Sequence, residues 1–443
     1  MLMLLYNAFL AAGLVLSSPW WLLRMATTER YREGLRERLG RVPERLRAYV
    51  TSVAAGRVIW VHAVSVGEVL AASRLVAELG EALGGDWRVV VSTTTRTGQA
   101  LARERFRAER VFYFPLDFAW VVRRYLHVLR PAALVLMESE IWPRMLHECA
   151  KEKIPVVVVN ARVSDRSFKR GMKLCVLWGR ALKMVSLWLA QSEEDARRLV
   201  ALGAQNVRVD GNLKYDVRAP KESRIAELIK EAAAGRPIVV GGSTQGEDPP
   251  EDSPLIRAQS SWPNAGKPLL VLAPRHPEQF MIVYSMAIEY PTALATELLA
   301  GQWSKRVEII VLDTIGDLAS VYSIADVAFV GGSLVKRGGH NPLEPAQFGV
   351  PVVMGPSFEN FRGIVEAMKQ AQGILIVGEE KLNTISPRNV SSELSLALID
   401  EVQSLLRDRD AALAMGERGR KVFEEQQGAT KRAVEAIVGM VKA

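Results

Sequence analysis

Short apolar runs rich in β-branched residues alternate with amphipathic segments along most of the chain. The runs in residues 57–212 predict strands at RVIWVHAV, WRVVVST, RVFYFPL, ALVLMES, IPVVVVN, LWLAQS and VRVDGN. Amphipathic stretches such as EEDARRLVALG lie between several of them and predict helices. Because nearly continuous apolar strands that alternate with helices are typical of parallel sheets, this half predicts an α/β sheet covered on both faces.

The same pattern starts again after residue 236. A second set of runs predicts strands at IVVGGST, LLVLAPR, VEIIVLD, VAFVGGS, PVVMG and GILIVG. The chain therefore predicts two doubly wound halves that meet near residues 216–236, with the segment around Pro220 as the linker. Residues 245–268 are polar and rich in proline, and this insertion predicts an excursion on the surface.

The N-terminus carries an uncharged run of 23 residues, MLMLLYNAFLAAGLVLSSPWWLL. A helix of about 20 apolar residues crosses the hydrocarbon core of a bilayer, so residues 1–23 predict a membrane anchor. The arginine-rich residues 30–47 follow, and the positive-inside rule then leaves the rest of the chain in the cytoplasm. A cleaved signal peptide is the alternative, but a basic segment before the run and a small-x-small cleavage site after it are missing. Residues 30–47 also fit a solvated helix with Arg/Glu pairs.

Composition narrows the possible functions. A chain of 443 residues with 49% apolar and 24% charged residues is long and apolar enough for two folded domains. The net charge of +8 is compatible with nucleic acid, an anionic membrane or a phosphorylated substrate. Cys149 and Cys175 lack CxxC spacing, so we expect no disulfide framework and no zinc site. No two histidines have the spacing of a metal-binding helix, so we expect no metal held by the protein. The five histidines are His62, His127, His147, His276 and His340.

Acidic residues follow two strands of the first half. In open α/β sheets, ligands bind outside the carboxyl ends of the strands. Glu68 comes directly after Gly67 where the first strand turns into a helix, and Glu138 and Glu140 follow the fourth strand. Such carboxylates could accept a proton from a hydroxyl or stabilise positive charge. Glu68 also has a purely structural explanation, because the positive end of a helix dipole favours an acid in the first turn.

The second half offers groups of another kind at its strand ends. Arg275 and His276 directly follow a strand, and a glycine-rich loop leads to His340, Asn341 and Glu344 at the start of a helix. Backbone N–H groups of such a loop can approach a phosphate, so the segment predicts an anion site, although simple turn chemistry would give a similar pattern. Neither G-x-G-x-x-G after an early strand nor a P-loop motif is present.

Taken together, motifs along nearly the whole chain resemble the bacterial 3-deoxy-D-manno-octulosonic acid (Kdo) transferases. The motifs that carry this resemblance are HAVSVGE, STTTRTGQALA, PLDFAWVVRRYL, MESEIWP, NARVSDRS, AQSEEDARRLVALGA, GNLKYD, LAPRHPEQF, DTIGDLASVYSIADVAFVGGSL and GGHNPLEPAQFGVPVVMGP. The resemblance implies a GT-B fold of two Rossmann-like domains that face a cleft, with an N-terminal anchor helix. It divides the chain into an anchor (1–23), an acceptor domain (24–216) and a donor-binding domain (217–443).

The resemblance also implies a reaction. Kdo would pass from CMP-Kdo to a lipid A precursor, with inversion and without a metal or other cofactor, at the cytoplasmic face of the inner membrane during lipopolysaccharide core synthesis. The expected partners are the CMP-Kdo donor, the lipid A precursor and inner-membrane lipids. Nucleic acid is not expected, since the chain lacks interleaved basic and aromatic residues. The alternatives are a GT-B enzyme that uses a UDP-sugar and a non-catalytic, membrane-tethered nucleotide-binding protein.

Site residues follow from matching motifs. Glu68 in SVGE matches the general base of the family, while Glu138 in MESE and Lys214 in GNLKYD match positions of transition-state stabilisation. The donor-binding positions are Ser243, Pro274, Arg275, Ile315, Gly316, Asp317, Asn341, Pro342, Leu343 and Glu344. Two positions depart from the family pattern: Asp317 stands where glutamate is more usual, and Gln245 stands where a histidine is expected. Gln245 can donate a hydrogen bond but cannot carry a charge.

Overall fold

The computed structural model describes most of the chain beyond its N-terminal segment. The described residues are 6, 12–13, 16–20, 24, 27, 33–54, 57–173, 175–216, 223–246, 250–262, 266–304, 306–378 and 390–442. The predicted anchor of residues 1–23 therefore lies largely outside them. Within the described residues, no helix combines the length and the apolar character that a membrane crossing requires.

The chain forms two compact units. One comprises Met1–Val217 together with Gln427–Ala443, and the other comprises Arg218–Gln426. In the described residues, each unit contains one sheet of seven strands, and every strand pair in both sheets is parallel. The predicted α/β class with two parallel sheets is therefore confirmed.

The sheet of the first unit has the order β3-β2-β1-β4-β5-β6-β7. Its strands are β1 (Val58–His62), β2 (Arg88–Thr93), β3 (Val111–Tyr113), β4 (Ala133–Met137), β5 (Val156–Ala161), β6 (Leu187–Ala190) and β7 (Val207–Val209). All five residues of β1 are buried, because helices cover both faces of the sheet. Successive residues of β1 contribute to opposite faces: Trp60 belongs to one core cluster, and Ile59 and Val61 belong to the other. All seven predicted strands of this half are present.

The helices that precede and connect these strands take both faces of the sheet. They are α1 (Leu35–Arg38), α2 (Glu44–Thr51), α3 (Val66–Leu83), α4 (Arg96–Phe106), α5 (Ala119–Leu129), α6 (Pro143–Lys151), α7 (Asp165–Lys173), α8 (Cys175–Leu182) and α9 (Glu193–Ala201). A short 3₁₀ helix, Leu213–Asp216, follows β7.

The sheet of the second unit has the order β10-β11-β9-β8-β12-β13-β14. Its strands are β8 (Ile238–Thr244), β9 (Leu269–Pro274), β10 (Thr292–Leu294), β11 (Ile309–Val311), β12 (Val327–Val330), β13 (Val352–Met354) and β14 (Ile374–Ile376). The six predicted strands are present, and β10 is an addition that the sequence pattern did not indicate. Its residues, Thr292–Leu294, run directly into a helix and lack the longer β-branched or aromatic run that marked the predicted strands.

The helices of the second unit are α10 (Arg224–Ala233), α11 (Asp252–Ser261), α12 (Phe280–Met286), α13 (Ala295–Leu299), α14 (Leu318–Val321), α15 (Leu343–Ala346), α16 (Arg362–Gln370), α17 (Val390–Arg407) and α18 (Arg409–Glu425).

The proline-rich insertion of residues 245–268 is not a surface excursion, and that prediction was wrong for its described part. Helix α11 lies in this insertion, and its Leu255 is fully buried in a core cluster with Val239 and Leu270. Two acidic residues at the start of the helix, Glu251 and Asp252, are also buried. The insertion therefore contributes to the core of the second unit.

The last helix, α19 (Ala429–Lys442), belongs to the first unit, although the sequence prediction had assigned residues 217–443 to the second domain. Its Ala433 and Ile437 are fully buried in a core cluster of the first sheet. The Asp216 carboxylate accepts hydrogen bonds from the N–H groups of Gly428 at 2.6 Å and Thr430 at 2.5 Å. Apolar packing and this bonded carboxylate thus hold α19 on the first unit.

Candidate active site

The first unit gathers its predicted catalytic residues at the point where the strand order reverses. Strand β1 lies between β2 and β4, and β1 and β4 pair in parallel with His62 opposite Leu136. Glu68 follows β1 and Glu138 follows β4, so both carboxylates lie at the carboxyl ends of neighbouring strands. Such a switch point is where open α/β sheets bind their ligands.

Local hydrogen bonds fix the Glu68 side chain at the start of α3. Ser65 is the N-cap of this helix, and its hydroxyl lies 3.0 Å from Oε1 of Glu68. Oε2 accepts the N–H of Val64 at 2.8 Å. This arrangement is close to a capping box, in which a glutamate of the first turn bonds back toward the N-cap. Glu68 therefore has the structural role that the sequence left open, whatever chemistry it performs.

The environment of Glu68 also changes its acidity. Burial raises the pKa of its carboxyl to about 7; the Val64 N–H bond opposes this effect, and the nearby charges of Glu138 and Glu140 add to it. Only 8% of the residue is exposed. A carboxyl with a pKa near neutral pH is a stronger base than an ordinary carboxylate, and about half of it is deprotonated at pH 7, which is how enzymes tune general bases.

Glu138 is held in an unusual backbone conformation. It is the first residue after β4, its φ is 55°, and its N–H donates to the carbonyl of Val159 at 2.8 Å. A non-glycine residue in this left-handed region costs roughly 1–2 kcal/mol. The next residue, Ser139, accepts the N–H of Arg162 at 3.1 Å, so the loops after β4 and β5 are bonded to each other. Burial and Glu138 together raise the pKa of Glu140.

Lys214 lies in the 3₁₀ helix after β7. Burial lowers the pKa of its ammonium, the charge of Glu138 opposes this shift, and Arg162 adds to it. Glu138 therefore interacts electrostatically with both Glu68 and Lys214. The structure brings the three side chains predicted from the sequence into one charged cluster at the carboxyl ends of the first sheet.

Three amide side chains that the sequence analysis did not single out support Lys214. The Asn160 side chain accepts the N–H of Leu213 at 3.1 Å, and the Asn212 amide donates to Gln191 at 3.1 Å. The Asn212 side chain also accepts the N–H of Lys214 at 3.0 Å. Asn160 lies at the end of β5, Gln191 directly follows β6, and Asn212 lies in the loop after β7. Their position near strand ends was the signal that could have identified them.

The predicted donor-binding residues lie at the carboxyl edge of the second sheet, after neighbouring strands. Ser243 is the second-last residue of β8, with φ 54°, and Pro274 ends β9. The N–H of Arg275 donates to the carbonyl of Thr244 at 3.0 Å, which joins the ends of these two strands. The segment of Ile315, Gly316 and Asp317 follows β11, and its Ile315 is 84% exposed.

The segment after β12 brings polar side chains to the same edge. The Asn341 side chain accepts the N–H of Leu343 at 3.2 Å and lies 3.4 Å from the carboxylate of Glu344, with Pro342 between them in the chain. Burial raises the pKa of Glu344, while Asn341 and Arg275 oppose the shift. Arg275 is thus an electrostatic neighbour of Glu344.

Gln245, where the resemblance led us to expect a histidine, contacts His340. Its Nε2 lies 2.5 Å from Nε2 of His340. Burial lowers the pKa of His340 to about 4, and the charges of Arg275 and His276 act in the same direction. His340 is therefore neutral near pH 7, and a neutral imidazole can accept a hydrogen bond from the Gln245 amide through this nitrogen.

The glycine-rich loop after β12 binds an anion, but the anion is a side chain of this protein. The N–H groups of Gly332, Ser333 and Leu334 donate to the carboxylate of Glu251 at 2.5–2.9 Å. The sequence predicts that N–H groups of this loop are available to a phosphate, but in the structure those of residues 332–334 are bonded to Glu251. Glu251 was not predicted, because an acid in a proline-rich stretch has the pattern of a solvated residue.

Comparison with known proteins decides the family. The family model for 3-deoxy-D-manno-octulosonic-acid transferase (kdotransferase) matches residues 33–217. The chain is 32% identical to the 3-deoxy-D-manno-octulosonic acid transferase of Haemophilus influenzae, over 92% of this chain and 91% of that protein. The chain belongs to the Kdo transferase family. The Bordetella pertussis Kdo transferase is also 32% identical, over 86% of each chain, so this protein is a glycosyltransferase, as the sequence resemblance predicted.

A solved structure agrees with the fold of this Kdo transferase. The UDP-GlcNAc 2-epimerase from Neisseria meningitidis, bound to UDP-GlcNAc, matches 86% of this chain and 99% of its own, with a TM-score of 0.56 and 11% identity. At this identity the likeness concerns the fold alone. It confirms the α/β architecture with two Rossmann-like sheets.

Proposed function

We propose that this Kdo transferase moves Kdo from CMP-Kdo to a lipid A precursor, with inversion at the anomeric carbon and without a metal ion. The observation that carries the proposal is the cluster of Glu68, Glu138 and Lys214, in which burial gives the Glu68 carboxyl a pKa of about 7. A base of this strength suits the removal of a proton from a sugar hydroxyl.

In the proposed reaction, Glu68 takes the proton of the acceptor hydroxyl while the oxygen attacks the anomeric carbon of Kdo. The new carbon–oxygen bond forms as the bond to the phosphate oxygen breaks, and CMP leaves with the electron pair. Lys214 and Glu138 stabilise the charges that develop in the transition state. Attack on the face opposite the leaving group inverts the configuration.

The donor is assigned to the second unit. Arg275, Asn341 and Glu344 supply a cation, an amide and a carboxylate at one sheet edge, which suits an anionic sugar nucleotide with ribose hydroxyls. Ser243, Pro274, Pro342 and Leu343 would line this binding site, as would the segment from Ile315 to Asp317. CMP carries a single phosphate, so its departure needs less charge neutralisation than that of a diphosphate, and Arg275 could supply it.

The acceptor is assigned to the first unit and places the reaction at a membrane. A lipid A precursor keeps its acyl chains in the bilayer, so we place the enzyme at the cytoplasmic face of the inner membrane. The basic residues that precede the first strand, among residues 30–47, would attract an anionic lipid surface.

Mass spectrometry of the reaction product tests this function. The purified full chain, in detergent with CMP-Kdo and a lipid A precursor, should yield acceptor that is heavier by one or more Kdo residues. Parallel reactions with UDP-sugars should give no product. Product from a UDP-sugar but not from CMP-Kdo would overturn the donor assignment, and transfer to a soluble sugar in preference to the lipid would overturn the acceptor.

A further inference from the structure

The carboxylate of Glu251 is buried and accepts hydrogen bonds from backbone N–H groups of the second unit. Among the described residues, Oε1 accepts the N–H groups of Ser333 at 2.9 Å and Leu334 at 2.7 Å, and Oε2 accepts those of Gln245 at 2.8 Å and Gly332 at 2.5 Å. Only 2% of the residue is exposed. A carboxylate has about four acceptor sites, so these donors saturate it. A buried charge is tolerated only when it is bonded in this way.

These bonds join two loops that are far apart in the sequence. Gln245 and Glu251 belong to the loop after β8, which is closed by a bond from the Glu251 N–H to the Gln245 carbonyl at 2.9 Å. Residues 332–334 belong to the loop after β12. At Gly331 an added Cβ would lie 2.5 Å from the Cα of Thr244 and 2.8 Å from Oε2 of Glu251, so a larger residue could not allow this close approach.

Residues assigned to the donor lie at the strand end before the first loop and in the second loop. Beyond Leu334 the second loop turns back, because the N–H groups of Gly339 and His340 donate to the carbonyls of Gly332 at 2.8 Å and Gly331 at 3.1 Å. These bonds set the position from which His340 meets the Gln245 side chain. Ser243 lies two residues before Gln245, and Asn341 directly follows His340. Glu251 thus connects both strand ends that present the donor-binding side chains.

We propose that Glu251 is a positioning residue of the donor site: its carboxylate, and not the donor phosphate, occupies the N–H groups of residues 332–334 and thereby fixes Ser243, His340 and Asn341 for donor binding. The inference rests on the proposed function, because it assumes that CMP binds at this sheet edge. It leaves the phosphate to side chains such as Arg275, since the N–H groups of residues 332–334 are already bonded to Glu251.

Hydrogen exchange of the unmodified protein tests whether Glu251 or the nucleotide accepts the N–H groups of residues 332–334. The amides of Gly332, Ser333 and Leu334 should be protected without CMP, and saturating CMP should change their exchange rates by less than about 2-fold. The segment of residues 340–344 should gain protection when CMP binds. Protection of residues 332–334 that arises only on addition of CMP would overturn the inference, since it would give these N–H groups to the nucleotide.

A pair of variants tests the positioning role. Glu251→Gln keeps the size of the side chain but replaces one acceptor oxygen with a donor. Some of the N–H groups of Gln245 and residues 332–334 then lack an acceptor. Its Kd for CMP should rise at least 10-fold and its KM for CMP-Kdo should rise more than its kcat falls. Asp326→Asn is the control, because Asp326 accepts the N–H of Ile238 at 2.9 Å at the opposite end of the same sheet. Asp326→Asn should lower the Tm but change the Kd for CMP less than 2-fold.

The outcomes separate this inference from the proposed function. If the unmodified protein does not bind CMP, the donor assignment fails and the inference falls with it. If the unmodified protein and a folded Glu251→Gln variant, checked by circular dichroism, bind CMP equally well, only the positioning role fails. If Glu251→Gln does not fold, the exchange experiment on the unmodified protein still decides the question.

Discussion

At the scale of single residues, Glu68 combines a helix cap with the expected base, and one substitution separates the two. Glutamine also suits the capping box, so Glu68→Gln should keep the local fold while it removes the proton acceptor. We expect kcat to fall by about 10²- to 10⁴-fold, the usual loss for a general base, with little change in the Kd for CMP. Turnover in the mass-spectrometric assay and calorimetric CMP binding measure the two effects.

Glu297→Gln is the matched control for that prediction. Glu297 accepts the N–H of Leu294 at 2.8 Å at the start of α13, a capping bond outside the proposed catalytic cluster. This variant should keep at least half of the turnover. A Glu68→Gln protein as active as the Glu297→Gln protein would show that Glu68 is only a helix cap.

The raised pKa of Glu68 predicts a pH profile with a defined sign. A base must be deprotonated to act, so kcat/KM should rise with pH and level off above the pKa of about 7. Glu138 raises that pKa, and Glu138→Gln should therefore move the inflection to lower pH while it also lowers the rate. The inflection of Glu78→Gln should not move, because Glu78 lies in the same helix but pairs with Arg74. An unchanged inflection in Glu138→Gln would mean that another group controls the profile.

Arg275 should act on the donor and not on the proton transfer. Arg275→Ala removes the cation assigned to the phosphate, so the KM for CMP-Kdo should rise at least 10-fold while the inflection of the pH profile stays in place. Arg224→Ala serves as the control, since Arg224 is 71% exposed and pairs with Glu227 at the start of α10. A KM that changes equally little in both variants would remove Arg275 from the donor site.

Functional residues could be predicted from the sequence only where they lie in a motif of the family. Glu68, Glu138 and Lys214 stand in motifs of the family, and the structure brings them together. Contacts between residues far apart in the sequence were harder to predict: Glu251 binds residues about 80 positions later in the chain, and Asn160 binds Leu213 across about 50 positions. A pattern of neighbouring residues contains no information about contacts of that kind.

At the scale of elements, α19 depends on Asp216 for its attachment. The first N–H groups of a helix lack partners within the helix, and Asp216 accepts two of them, from Gly428 and Thr430. Asp216→Ala would leave these groups unpaired at a cost of about 1–3 kcal/mol. We expect a lower Tm and faster hydrogen exchange in residues 429–442.

A second helix cap provides the comparison for α19. Asp408 caps α18 by accepting the N–H of Ala411 at 3.0 Å, and it belongs to the other unit. Asp408→Ala should also lower the Tm, yet exchange in residues 429–442 should remain as in the unmodified protein. Equal exchange in that segment for both variants would show that apolar packing alone holds α19.

The elements themselves were largely predictable, because buried parallel strands are continuous apolar runs. Most strands follow that rule, whereas β10 does not, because it runs into a helix without a longer apolar run. The periodicity of α19 indicates an amphipathic helix, but periodicity does not say which core its apolar face will join. The prediction for the insertion with α11 was wrong, since its prolines and acids suggested exposure to solvent, whereas its acids are hydrogen-bonded and buried.

At the scale of the whole molecule, the reaction should proceed without a divalent ion. The proposed chemistry relies on Glu68, Lys214 and Arg275, so product formation should survive EDTA treatment and dialysis. Added Mg²⁺ or Mn²⁺ should then change the rate by less than about 2-fold in the mass-spectrometric assay. Loss of product in EDTA, with recovery on addition of one of these ions, would contradict the metal-free reaction.

The return of α19 to the first unit affects how the chain can fold as it is made. About 210 residues of the second unit emerge from the ribosome between Val217 and Gln427. At 5–20 residues per second, their synthesis takes on the order of 10–40 s. During this interval no helix covers the apolar surface of the first unit against which Ala433, Val434 and Ile437 later pack. If translation stalls within the second unit, the first unit therefore keeps an exposed apolar surface although the rest of it has been synthesised. Chaperones bind apolar surfaces of this kind.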